Sequence, residues 1–100
     1  MSHEVAGRTS KADVVRTIAE KLGIPVPPMS TGSTEPRAIF DAVNRHLHLG
    51  IPVELTKPQT ARAIVESTGR AWLPTYDSRG GTVTLAGLRA VLAAVEDYVG

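Results

Sequence analysis

One hundred residues with 42% hydrophobic content suffice for one small domain around one core. Eleven basic and ten acidic residues leave a formal charge of +1, so bulk electrostatics selects no partner. The lack of cysteine excludes a disulfide framework and every thiolate zinc site, and a cytoplasmic chain is the expectation.

Met1 to Thr9 reads as a flexible leader, followed by a single helical domain over 10–100. Ser10 is placed to cap a first helix from Lys11 to Leu22, with Asp13 in the turn where the helix dipole favours an acid. Val14, Ile18 and Leu22 form its apolar stripe. Asp13, Arg16, Glu20 and Lys21 interrupt the apolar positions, so neither a secretory signal nor a membrane span is expected here.

The string Leu22 Gly23 Ile24 Pro25 Val26 recurs as Leu49 Gly50 Ile51 Pro52 Val53, each copy following a helical pattern. Gly supplies the left-handed residue that stops a helix and Pro forbids its continuation, so both copies are expected to mark helix ends. Pro25, Pro27 and Pro28, then Ser30 to Ser33, read as a connector.

A second helix is expected from Glu35 to Leu47, opened by Thr34 Glu35 Pro36, with Ile39, Phe40, Val43 and Leu47 on its inner face. The connector from His48 to Leu55 is longer than a tight turn. Thr56 and Gln59 then form the capping pair of a third helix, whose Ala61, Ile64 and Val65 face inward and which ends at Gly69.

From Ala71 to Thr84 the period changes. Trp72 to Tyr76 and Thr82 to Thr84 are β-prone runs around Asp77 Ser78 Arg79 Gly80 Gly81, which predicts a short hairpin, with Pro74 restricting its first strand. Thr84 caps a fourth helix in which Leu85, Leu88, Val91, Leu92, Val95 and Val99 recur at helical spacing. The expected fold class is mainly α with a small β-hairpin, four helices, arranged like a winged helix-turn-helix.

In that arrangement the third helix enters a DNA major groove. Gln59, Arg62, Glu66 and Arg70 follow one another at three and four residues, beside Ser67, and so share a face. Gln suits adenine, Arg suits guanine, and Lys57 at the helix start suits phosphate. The plainer account is a solvated face with an Arg62–Glu66 pair of about 0.3 kcal/mol. Arg79 in the glycine-rich tip is a phosphate or minor-groove contact, or else a loop arginine with no partner. Trp72 and Tyr76 read first as core aromatics and second as stacking residues. Eight of the eleven basic residues are Arg, which fits phosphate or guanine recognition and equally a genomic base bias.

His46 and His48 are two apart and do not share a helical face as a zinc pair does, so no metal site is expected. No nucleophile elbow, phosphate loop or acid pair has suitable spacing, so no catalytic residue and no cofactor are assigned.

The runs Thr34 to Phe40, Thr56 to Glu66 and Ser78 to Thr84 resemble amino-terminal modules of bacterial methylation-dependent restriction endonucleases that carry an HNH nuclease farther along. The resemblance covers most of the chain after residue 30. It implies a double-stranded DNA-binding head, with methylated cytosine as a possible target and cutting done by a separate domain. The abrupt ending at Asp97 Tyr98 Val99 Gly100 fits a module of a longer polypeptide. The competing expectation is a protein interaction or homodimerisation module, in which the fourth helix or the Pro25 to Pro28 connector docks a neighbouring domain or a second copy, with Leu85, Leu88, Leu92 and Val95 as interface instead of core.

Overall fold

Residues 11–25, 37–52, 54–77 and 82–99 are described by a computed structural model, and within them the chain is mainly helical. Four α-helices run in the order α1 (Lys11–Leu22), α2 (Arg37–Leu47), α3 (Lys57–Glu66) and α4 (Leu85–Val99). The leader 1–9, Ser10, the connector 26–36 with Thr34 Glu35 Pro36, and the tip Ser78 Arg79 Gly80 Gly81 lie outside the described residues.

The apolar spacing meets at one core. Val14, Val15, Ile18, Ala19 and Leu22 of α1 join Ile39, Phe40 and Val43 of α2, and Ala61, Ile64 and Val65 of α3. Leu88, Val91, Ala94 and Val95 of α4, with Val83 just before it, close the cluster. The most extensive packing is α1 on α4, while α2 lies between α1 and α3. Burying one such aliphatic side chain contributes about 1.5–3 kcal/mol, so these residues outweigh every surface ion pair in holding the helices together.

The two copies of Leu-Gly-Ile-Pro-Val do different jobs. In the first, Gly23 takes φ +71° and Ile24 N donates to Ala19 O at 3.0 Å, while Gly23 N donates to Glu20 O at 3.1 Å, which is a complete Schellman closure. In the second, the left-handed residue is His48, at φ +56°, and Leu49 N donates to Asn44 O at 3.0 Å. The helix has therefore ended before the repeated string begins. Gly50, at φ +72°, instead bends the connector toward α3. Likewise α3 ends at Glu66, and Gly69, at φ +85°, completes a further turn beyond it.

The expected first strand is replaced by a 3-10 turn at Pro74–Tyr76. Pro74 has no amide for a ladder and a φ suited to a helical first position, so the chain curls there, with Tyr76 N donating to Leu73 O at 3.0 Å. Strand pairing among the described residues amounts to one antiparallel bridge, Asp77 to Val83, in place of a hairpin.

Thr84 organises the corner that follows. Its backbone N donates to Tyr76 O at 2.9 Å, its hydroxyl donates to Thr75 O at 2.8 Å, and the same Oγ accepts from Gly87 N at 3.2 Å to cap α4.

Candidate nucleic-acid interface

The third helix is built to start where it does. Thr56 has extended backbone geometry and its Oγ accepts from Gln59 N at 3.3 Å, while Gln59 Oε1 accepts from Thr56 N at 3.0 Å. Two amides that the first turn leaves without helical partners are thereby satisfied. Thr60, buried, returns its hydroxyl to Thr56 O at 2.9 Å, so a polar residue sits in the core without an unpaired donor.

Ala61, Ile64 and Val65 then face the core, and Gln59, Arg62 and Glu66 are left exposed on the other side. Lys57 is half-buried at the first helical position. Gln59 is committed to the capping box. Arg62 Nε donates to Glu66 Oε2 at 3.0 Å, with the two side chains 61% and 46% exposed. A one-turn pair this open is worth about 0.3–0.5 kcal/mol, so Arg62 is tethered but easily released.

The remaining predicted residues are not on this open face. Arg70 crosses to the end of α4, its Nη2 at 2.7 Å and its Nε at 3.0 Å from Asp97 Oδ2. Ser67 Oγ donates to Ile64 O at 2.6 Å and accepts from Tyr98 OH at 2.8 Å. Helical spacing groups Ser67 and Arg70 with Arg62, whereas contacts from about thirty residues downstream separate them into a seam between α3 and α4.

Trp72 and Tyr76 are both half-buried, and neither belongs to the fully buried core. Their rings meet edge to face with centroids 5.0 Å apart, and Trp72 Nε1 donates to Asp77 Oδ1 at 3.2 Å. The pair forms the outer wall of the corner, with Trp72 packed against the core from outside. Arg79 lies outside the described residues.

The proposed interface positions of α4 also resolve into core. Leu88 and Val95 are fully buried, and Leu85 and Leu92 are half-buried against them. What the apolar pattern concealed is the opposite side of α4, where Arg89 is exposed over an open groove of about 790 Å³ shared with Leu73, Tyr76 and Ala93. Its one signal in the sequence is the set of non-apolar or small positions, Ala86, Arg89, Ala90 and Ala93, between the large aliphatic ones.

Among the described residues no three His, Asp or Glu side chains are grouped to hold a metal ion, and no helix is long and apolar enough to cross a membrane. No family model, no curated protein and no solved structure matches this chain.

Proposed function

We propose that this chain is a double-stranded DNA-binding module of winged helix-turn-helix type. In this reading α3 enters the major groove and the corner formed by residues 72–77 and 82–84 serves as a short wing. The observation that supports it is the division of α3 into a buried side and an open side bearing Gln59 and Arg62, on the second helix of a consecutive pair.

Arg62 exchanges Glu66 for a phosphate or a guanine edge at small cost, and Lys57, at the start of the helix, takes a phosphate. Arg79, from the glycine-rich sequence between Asp77 and Thr82, takes a backbone phosphate in this reading. Ser67 and Arg70 hold the end of α4 in place, so the reading surface is confined to the first two turns of α3. With a formal charge of +1 the module binds modestly and is salt-sensitive. By the resemblance to restriction endonuclease heads, it serves a larger restriction or regulatory protein whose nuclease lies in another domain, and methylated cytosine is a target to be tested.

A mobility-shift titration with matched unmethylated and methylated duplexes at two salt concentrations tests this. Arg62→Ala is expected to weaken duplex binding about tenfold. A difference between the two duplexes assigns modification sensing. If Arg62→Ala and Arg79→Ala both bind as the parent does, the proposal is lost.

A further inference from the structure

The outer side of α4 carries groups that complement each other. Leu73, Tyr98 and Val99 are the exposed large hydrophobic residues among those described, at 45%, 40% and 46%, and all three lie on α4 or beside it. Leu73 borders the groove of about 790 Å³, whose wall also includes Tyr76, Leu85, Arg89 and Ala93. The groove is lined by two arginines and no acid. Arg70 is already neutralised by Asp97, whereas Arg89 has no ion pair or hydrogen bond among the described residues.

An occupant of this groove should therefore be apolar and acidic. The last turn of α4 itself offers such groups in Glu96 and Val99, both exposed, while Asp97 and Tyr98 are engaged within the chain by Arg70 and Ser67. Glu96 is held within its own chain by Lys21 alone among the described residues, at 3.5 Å, an open pair that leaves the carboxylate accessible to a second cation.

We propose that two copies of this chain pair through antiparallel α4 helices, with Arg89 of each level with Glu96 of the other. The two positions are seven residues apart, close to two whole turns, and so lie on the same side of the helix. Reversing one helix about a two-fold axis near Ala93 sets each arginine against a glutamate, twice by symmetry. A parallel pairing sets Arg89 against Arg89 and is disfavoured on charge. Ala93, between the two charged positions, and Ala86, one turn before Arg89, let the two helix axes approach closely. This surface is separate from the open side of α3, and the inference holds whether or not the chain binds DNA.

Sedimentation equilibrium of the full chain without DNA is the test. The parent is expected to be a reversible dimer. Arg89→Glu or Glu96→Arg alone should weaken the dimer at least about tenfold, and the double reversal should restore it. Far-ultraviolet circular dichroism verifies that each variant remains helical. Because the chain has no cysteine, Ala93→Cys offers a second readout: it should cross-link as a dimer on mild oxidation, while Arg45→Cys on α2 should not. A monomer at all concentrations, a dimer indifferent to either single reversal, or a double reversal that fails to recover overturns the proposal.

Discussion

Asn44 grips both backbone groups of Ile51: its Nδ2 donates to Ile51 O and its Oδ1 accepts from Ile51 N, each at 2.9 Å. The side-chain amide thereby behaves as a peptide partner would in a ladder, and it fastens the connector after α2 back onto α2. This explains how an eight-residue connector, His48 to Leu55, still presents α3 in a fixed position. Asn44→Ala leaves both groups of a half-buried peptide without these partners and should cost about 1–3 kcal/mol. Thermal denaturation should register the loss as a drop of about 4–8 °C per kcal/mol for a domain of this size. An unchanged midpoint would place the anchoring of the connector elsewhere.

Two histidine-to-glycine substitutions should have opposite signs. At His48 the backbone is left-handed, φ +56°, which costs an L residue about 1–2 kcal/mol and a glycine almost nothing. Set against the greater freedom of glycine in the unfolded chain, His48→Gly should stabilise by about 0.5–1 kcal/mol. His46 is exposed within α2, where glycine lowers helix stability, so His46→Gly should destabilise by about 1 kcal/mol. Urea midpoints of the two variants, moving in the same direction, would contradict this account of the helix end.

Gly87 is the close-approach residue of α4. A Cβ at this position would stand 2.8 Å from Tyr76 O and would overlap Val83 Cγ1. Alanine gains about 1 kcal/mol of helix propensity here. The backbone carbonyl cannot swing aside while Thr84 N is bonded to it at 2.9 Å, so Gly87→Ala should be net destabilising by about 1–3 kcal/mol. Faster amide exchange at Thr84 is the specific readout. A stabilised variant with Thr84 still protected would show that the corner yields freely.

The helices were legible because each carries its own period. Val14, Ile18 and Leu22 in α1, and Leu88, Val91 and Val95 in α4, are spaced by the geometry of one element and need no partner to be recognised. The same holds for the capping box of Thr56 and Gln59, which closes within four residues. What escaped depends on residues far apart in the chain. Arg70 belongs with Asp97 and Ser67 with Tyr98, contacts spanning 27 and 31 positions, and spacing along α3 carries no trace of them. The corner escaped for another reason. Composition around Trp72 and Tyr76 is β-prone, but one proline was enough to turn the backbone into a 3-10 curl, and the bridge between Asp77 and Val83, alone among the described residues, is too little pairing to impose strands. The second Leu-Gly-Ile-Pro-Val string misled because a helix end is set by the residue that first turns left-handed, here His48, one step before the string begins.

The two clasps between the tips of α3 and α4 differ in kind, one between full charges and one between hydroxyls. Added electrolyte weakens the former and spares the latter. Raised ionic strength should therefore loosen only one of these two fastenings between the carboxyl ends of the helices, the Arg70–Asp97 pair.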